Sequence, residues 1–210
     1  MPGGDARPRI GVLAIQGDFA AHARALEDAG AEAVEVRKPS QLDGLDGLIL
    51  PGGESTTFLR FLERDHFLQS LRTFVAAKPT FGTCAGCILL ARNVSHPPQE
   101  SLAAMDISVE RNAYGRQIDS AIQMGATQLP GGPLEMVYIR APRIAGVGPD
   151  IDVMAERDGF PVLVRQGDLL AATFHPELSR DRRVHQYFVD MVRGHQTRLQ
   201  NPVGAQAKQE

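Results

Sequence analysis

The chain has 210 residues, of which 43% are hydrophobic, and a formal net charge of −3. A chain of this length can bury enough apolar surface to fold without a disulfide or a structural metal, so one domain is the expected organisation. Lysine and arginine are scattered, which argues against a nucleic-acid-binding protein, and no apolar stretch approaches the roughly 20 residues of a membrane helix. The N-terminus lacks an apolar leader and the two cysteines lie close together, so we predict a cytoplasmic protein.

The first half of the chain alternates apolar strands with helical patterns. Residues 9–15 form a near-continuous apolar run, typical of a strand buried on both faces, and a helix follows from Asp18, a candidate N-cap, to Gly30. Further along we predict strands over 33–36 and 46–50, a turn at 51–53, helical spacing from about 55 to 78, and an extended segment over 80–83. This alternation predicts a mainly parallel sheet covered by helices on both faces.

The second half of the chain is richer in strands and poorer in helices. Its apolar segments predict irregular or antiparallel strands over 107–109, 136–139, 153–155, 161–164 and 169–174. A helix over about 182–198 follows, with apolar residues at helical spacing. We predict an α/β fold in one domain over 1–200, with a disordered tail over 201–210.

Cys84 stands where an extended segment runs into a helix, which is the form of a nucleophile elbow. Gly82 and Gly86 flank it because strand and helix backbones approach too closely there for side chains. The positive end of the helix favours a thiolate. Two alternatives remain open: Cys84 is a small buried core residue, or Cys84 and Cys87 form a redox C-x-x-C pair. Cys87 lies in an apolar run, which favours core packing, and no second cysteine pair exists for a structural zinc.

A cysteine nucleophile needs a histidine base and a group that orients the imidazole. His175 ends an apolar strand and begins the sequence His-Pro-Glu, so Glu177 lies on the same side of an extended segment as the ring. The other histidines have no acidic neighbour in a fixed local geometry, and for each we predict a solvent-exposed role. They are His22, His66, His96, His185 and His195.

Six segments in this order carry a family resemblance: 11–18 (GVLAIQGD), 51–56 (PGGEST), 82–86 (GTCAG), 111–117 (RNAYGRQ), 139–142 (IRAP) and 173–178 (TFHPEL). Together they resemble the class I glutamine amidotransferases, and within that class the glutaminase subunits of pyridoxal 5′-phosphate synthase, the PdxT family. The resemblance implies a flavodoxin-like three-layer domain with a mainly parallel central sheet. Cys87 and residues 128–134 depart from the family pattern.

The resemblance also implies an activity, hydrolysis of L-glutamine by a triad of Cys84, His175 and Glu177. It implies an oxyanion hole from backbone N–H groups of the Gly52-Gly53 turn and Ala85. It further implies a synthase partner of the PdxS family in a large hetero-oligomer, docked near residues 16–18, with no metal and no cofactor. The implied glutamine-binding residues are Gly52, Gly53, Glu54, Arg111, Ile139 and Arg140.

Two rival functions remain open from the residues themselves. The first is a cysteine hydrolase or stress protein that uses the same elbow on other substrates, without a synthase. The second is a binding subunit built on an inactive amidotransferase domain, against which the complete Cys84, His175 and Glu177 set argues.

Overall fold

A computed structural model describes residues 7–62, 66–111, 113 and 121–201. Its strands are β1 (Arg9–Leu13), β2 (Glu32–Val36), β3 (Gly47–Leu50), β4 (Thr80–Thr83), β5 (Ala91–Ser95), β6 (Met105–Glu110), β7 (Ala121–Gly125), β8 (Leu134–Tyr138), β9 (Arg143–Val147), β10 (Asp152–Arg157), β11 (Phe160–Gln166) and β12 (Leu169–Ala172). Its helices are α1 (Phe19–Asp28), α2 (Ser55–Leu62), α3 (Phe67–Ala77), α4 (Ala85–Leu90) and α5 (Arg183–Gln200), with 3-10 turns at Pro39–Gln41 and Pro176–Leu178.

A seven-stranded sheet, in the order β10-β11-β12-β4-β3-β1-β2, forms the centre of the fold. The five strands from β12 to β2 pair in parallel, whereas β10 and β11 pair antiparallel. The predicted α/β class, with a mainly parallel sheet and additional antiparallel strands, is confirmed.

Two apolar clusters cover the two faces of this sheet, because successive strand residues point to opposite sides. On β3, Leu48 and Leu50 belong to the cluster that contains buried residues of α2, α3 and α4. Ile49 belongs to the other cluster, with buried residues of α1 and α5. The result is a helix-sheet-helix sandwich. The second cluster also contains Leu134, Met136 and Tyr138 of β8.

The smaller sheets account for most differences from the sequence prediction. β5, β6 and β9 form one, in which β6 and β9 pair antiparallel, as expected for this half, while β5 and β6 pair in parallel. β7 and β8 form an antiparallel pair. The sequence prediction missed β5, β7 and β9, whose strands are largely half-buried or exposed and therefore lack a continuous apolar run.

The helices also differ in detail from the prediction. The helical spacing over 55–78 corresponds to two helices, and His66 precedes α3 in a left-handed conformation, φ 58°. Asp18 occupies the N-cap of α1, but its carbonyl rather than its side chain accepts the helical bonds.

The single domain over 1–200 stays a prediction. Within the predicted tail, 202–210 lie outside the described residues. None of the helices in the described ranges combines the length and the hydropathy that crossing a bilayer requires.

Candidate active site

Four neighbouring parallel strands end at one edge of the central sheet, and the predicted catalytic segments follow three of them. The turn 51–53 follows β3, Cys84 follows β4, and His175 lies three residues beyond β12. Since the carboxyl ends of parallel strands meet at the same edge, sequence-distant segments converge there. This is the edge at which open α/β sheets hold their ligands.

Cys84 occupies a sharp strand-to-helix turn with strained backbone angles, φ 49° and ψ −103°. Its N–H donates to the carbonyl of Ala172 on β12 at 2.9 Å, which fixes the turn against the neighbouring strand. A Cβ on Gly82 would lie 2.5 Å from the Gly86 carbonyl oxygen, and one on Gly86 would lie 1.9 Å from that of Leu50. Both glycines are therefore required by close backbone packing, as predicted for an elbow.

His175 and Glu177 form a buried hydrogen-bonded pair beside this turn. His175 Nδ1 lies 2.8 Å from Glu177 Oε1, and the two side chains are 9% and 0% exposed. The backbone N–H of His175 donates to Val137 on β8 at 2.8 Å, so the segment is anchored from the outer strand pair. The predicted local geometry, a carboxylate reaching back to the ring two residues earlier, is present.

The ring of His175 interacts with both Cys84 and Glu177. Burial alone lowers the pKa of His175, but hydrogen bonds and charge interactions with Cys84 and Glu177 outweigh it and raise the pKa to about 10. A Cβ on Gly52 would lie 2.4 Å from the His175 ring and 3.4 Å from the Cys84 Cβ. The turn after β3 thus closes over both side chains.

Two adjoining pockets, of about 140 and 220 Å³, open at Cys84. Glu54 and Arg140 line both pockets, Arg111 lines the first, and His175 lines the second. Predicted site residues from five separate segments therefore surround one opening. The complete set shared by both pockets is Gly53, Glu54, Cys84, Ile139 and Arg140.

Glu54 has a more structural position than the sequence indicated. Its carboxylate accepts hydrogen bonds from the backbone N–H groups of Thr56 and Thr57 at the start of α2, and from the Thr57 hydroxyl at 2.5 Å. The bond from the Thr57 side chain is the main reason why the pKa of Glu54 is lowered to about 2. Arg111 Nη2 donates to Thr56 at 3.0 Å and lies 3.9 Å from Glu54. Glu54 is therefore an anion held in a fixed orientation.

The loop after β1 packs directly on the turn after β3. A Cβ on Gly17, whose φ is +76°, would lie 2.0 Å from the Gly52 oxygen, and Gln16 donates its side-chain amide to the Glu54 carbonyl at 2.5 Å. Gly17 and Asp18 line the pocket that contains His175.

Most of the 111–117 motif, 112 and 114–117, lies outside the described residues.

His22 is a polar neighbour of the site that the sequence prediction missed. His22 and His185 are fully buried, so the expectation of solvent-exposed roles was wrong for both. It was also wrong for His195, which pairs with Asp168 at 2.8 Å. These partners are 27 to 163 residues away in sequence and leave no local signal. Helical spacing was the available signal for His22, because Ala25 and Leu26 share its buried face.

Cys87 lies one turn into α4 and is fully buried in the cluster beneath the sheet. Burial and the neighbouring Cys84 raise the pKa of its thiol. Both features agree with the core-packing interpretation.

A larger cavity of about 520 Å³, lined by Lys78 and Leu169 among others, lies where β4 and β12 begin, at the opposite edge from Cys84.

The sequence profile of the SNO glutamine amidotransferase family matches residues 12–194. The chain belongs to the SNO glutamine amidotransferase family. A relative from Koribacter versatilis, the pyridoxal 5′-phosphate synthase subunit PdxT, is 61% identical over 185 residues, covering 88% of this chain and 96% of the relative. The PdxT protein of Solibacter usitatus is 50% identical over 190 residues, with coverage of 88% and 99%.

Two solved structures are similar to this SNO family member. A crystal structure of a glutamine amidotransferase is 44% identical, covers 87% of this chain and 98% of its own, and superposes with a TM-score of 0.81. A putative GMP synthase protein from Thermoplasma acidophilum has 18% identity and a TM-score of 0.69, covering 92% and 98%. The latter likeness concerns the fold alone.

Proposed function

We propose that this glutamine amidotransferase hydrolyses L-glutamine to L-glutamate and ammonia with Cys84 as nucleophile, His175 as acid and base, and Glu177 as orienting group. The observation that carries the proposal is the buried 2.8 Å bond between His175 and Glu177 beside the Cys84 elbow. A nucleophile, a base and an orienter in contact, opening into one pocket, constitute the arrangement that covalent amide hydrolysis requires.

The reaction proceeds in two steps. The Cys84 thiolate attacks the side-chain amide carbon of glutamine, and the protonated His175 gives its proton to the departing nitrogen, so that ammonia leaves and a glutamyl thioester forms. His175, now neutral, accepts a proton from water, whose oxygen attacks the thioester and releases glutamate and the thiolate. Throughout, Glu177 holds Nδ1 of the ring, so that Nε2 faces the reacting atoms.

Negative charge develops on the amide oxygen in both steps. The backbone N–H groups of Gly53 and Ala85 are the proposed donors to this oxyanion. Ala85 opens α4, where the first N–H groups have no helical acceptor, and Gly53 shares the pocket wall with Cys84. Each donor of this kind typically contributes about 10² to 10³ in rate.

Recognition of free glutamine requires one anion for its ammonium and one cation for its carboxylate. Glu54, immediately before α2, is fixed as an anion and its side chain remains 56% exposed, so part of its carboxylate is free to meet an ammonium. Arg111 and Arg140, on the pocket wall, are the proposed carboxylate partners, and Ile139 with the backbone of Gly52 and Gly53 completes the pocket.

A synthase partner follows from the named role of the relatives, which are subunits of pyridoxal 5′-phosphate synthase. Ammonia released into water is protonated and loses its nucleophilicity, so direct transfer to a synthase has a chemical rationale. We propose a PdxS-family synthase in a large hetero-oligomer for vitamin B6 synthesis, with residues 16–18 at the contact because Gly17 and Asp18 line the pocket that contains His175. The two free thiols fit the cytoplasmic location that we propose for the complex.

The test is glutamate release from L-glutamine, measured with and without the synthase subunit. Cys84→Ala is expected to abolish turnover while leaving the fold intact, because the nucleophile alone is removed. Cys87→Ala, a change of the same kind three residues away, is the matched control and is expected to retain activity. Substantial glutaminase activity in the Cys84 variant would contradict the assignment, as would loss of glutamine turnover only in the Cys87 variant.

A further inference from the structure

Two buried histidines that the triad does not use lie directly behind Glu177. His22 Nε2 lies 3.3 Å from Glu177 Oε2 and 3.1 Å from the hydroxyl oxygen of Thr83. On its other side, His22 Nδ1 lies 3.0 Å from His185 Nε2. A continuous polar chain therefore runs from α5, through α1, to the carboxylate that holds His175.

This row of polar side chains crosses an otherwise apolar layer. The rings of His22 and His185 both contact Phe81 of β4 edge-on, with centroids 6.4 and 6.1 Å away. A buried polar group without a partner destabilises the folded protein, so two imidazoles are an unfavourable choice where only packing is needed. The hydrogen bond between the two rings and the 3.3 Å approach of His22 to Glu177 give them a role that a leucine cannot fill.

Both imidazoles are neutral at neutral pH. The pKa of His22 is well below its usual value because of burial, with His185 and His175 adding to the effect. The pKa of His185 is lowered to about 3, again mainly by burial. Each ring therefore has one N–H and one lone pair, and the hydrogen-bond network decides which nitrogen carries the hydrogen.

One pair of tautomers fits the surroundings. If His22 carries its hydrogen on Nε2, the N–H is shared between Thr83 and the Glu177 carboxylate, and His22 Nδ1 accepts from His185 Nε2. The reverse pair turns a His22 lone pair toward an anionic oxygen and leaves a buried N–H on His185 Nδ1, which has no hydrogen-bond partner among the described residues. An unpaired buried N–H is rare and costly, so the first pair is favoured.

We propose that His22 is a positioning residue for glutamine hydrolysis, which presents its Nε2–H to Glu177 Oε2 and so holds the carboxylate in place behind His175. This inference rests on the proposed role of the triad. Oε2 is buried and accepts no well-aligned hydrogen bond from the described residues, so the adjacent His22 N–H is the group that offsets its charge. His185 supports the arrangement by donating to His22 and thereby selecting its tautomer.

The need for a second anchor follows from the reaction itself. His175 gains and loses a proton in each turnover, and its attraction to Oε1 changes with its charge. A carboxylate held through Oε1 alone is restrained more weakly against rotation about its terminal bond when His175 is neutral, because only a neutral N–H then holds it. A donor at Oε2 removes that freedom, so the imidazole returns to the same orientation for the water step.

The test uses His22→Leu, which removes the N–H, and His22→Gln, whose amide nitrogen occupies about the same place as Nε2. Leu26→Ala on the same face of α1 is the matched control, because it truncates a fully buried side chain that has no hydrogen-bonding group. Each variant is assayed for glutaminase kcat and KM in complex with the synthase subunit. Alkylation of Cys84 by iodoacetamide is followed against pH in parallel, since it reports the thiolate and imidazolium pair without glutamine.

The expected result is a fall in kcat of about 10- to 100-fold in His22→Leu with KM within about threefold, the cost of a lost hydrogen bond to a charged group. Since a poorly held carboxylate stabilises the imidazolium less, the pH midpoint of alkylation should rise by about 1 unit. His22→Gln should recover most of kcat. Other charged or titratable groups near His22 also affect the pH dependence of alkylation. They are Cys84, His175 and Glu177 at the site, His185 and Arg182 at the start of α5, and Asp28 of α1.

A folded His22→Leu variant with wild-type kcat and an unchanged midpoint would overturn the proposal. So would an equal fall in kcat in Leu26→Ala, since that would trace the loss to weaker packing. Should His22→Leu fail to fold, His185→Leu carries the test: about a 3- to 10-fold fall in kcat is expected, and no change overturns the inference. Failure of the triad assignment is seen separately, as residual turnover in Cys84→Ala.

Discussion

Replacing Glu177 by glutamine removes one charge from the centre of the site while keeping the shape of the side chain. Glu177 is fully buried and its Oε1 lies 2.8 Å from His175 Nδ1. A hydrogen bond to a charged group contributes about 1.5 to 3 kcal/mol and a neutral one about 0.5 to 1.5, so the lost charge costs roughly 1 to 1.5 kcal/mol. That difference alone corresponds to about a tenfold fall in kcat.

The other end of the amide adds a second cost. If its oxygen accepts from His175, its NH₂ group faces the Nε2 atom of His22, where the favoured tautomer carries a hydrogen. Two buried donors that face each other cost a further 1 kcal/mol or more, so about a 100-fold fall in kcat is expected overall. Turning the amide round instead would place NH₂ against His175 and require the wrong imidazole tautomer.

The pH dependence of kcat/KM supplies the second readout. Burial lowers the pKa of His175, but Cys84 and Glu177 together raise it to about 10, and the protonated ring is needed to release ammonia. Activity is therefore lost as the pH rises through the pKa of His175. Without the Glu177 charge this pKa falls, so the alkaline limb should move to lower pH.

The assay is steady-state glutamate release from pH 6 upward, in the presence of the synthase subunit. Glu135→Gln is the matched control, because this carboxylate on β8 accepts a hydrogen bond from Ser179 at 2.6 Å, whereas Glu177 is the carboxylate bonded to His175. The control should keep wild-type activity. A Glu177→Gln enzyme with more than about a third of wild-type kcat and an unchanged alkaline limb would refute the reasoning.

Two further predictions concern stability. Gly86→Ala should prevent folding or cost more than about 3 kcal/mol in urea unfolding, because the new Cβ would lie 1.9 Å from the Leu50 oxygen, whereas Gly146→Ala, with its nearest atom at 3.9 Å, should change little; equal stabilities would contradict the packing argument. The pKa values of His22 and His185 lie below the unfolded value of about 6.5, so the stability that these neutral rings provide is present above that pH and is lost as the pH falls, by about 1.4 kcal/mol per pH unit for each ring. His185→Leu should therefore reduce the loss of unfolding free energy between pH 7 and pH 5, and an unchanged loss would contradict neutral burial.

The parts of the site that short sequence motifs determine could be predicted from the sequence. The Cys84 elbow is specified by its two glycines, and the orientation of Glu177 toward His175 follows from their spacing in one extended turn. Their convergence follows from parallel strands ending at one edge. These features depend on local patterns and on one general rule of α/β folds.

The remaining features depend on contacts between distant segments. The partners of His22 are Thr83, Glu177 and His185, all more than 60 residues away, so only the helical spacing of its own face indicated burial. The family resemblance implies that Glu54 binds the substrate. In the structure its carboxylate also accepts hydrogen bonds from the backbone N–H groups of Thr56 and Thr57 in the first turn of α2. β5 was missed because Arg92 and Asn93 are exposed, so its sequence shows neither an apolar run nor an alternation of apolar and polar residues.

The most direct test of the central claim is covalent labelling with a chloroketone analogue of glutamine, followed by peptide mapping. A reactive thiol in a glutamine pocket should acquire one adduct per chain at Cys84, and excess L-glutamine should protect it. Cys87, which is fully buried, should remain unlabelled in the same peptide. An unlabelled Cys84, or labelling that glutamine does not slow, would contradict the account.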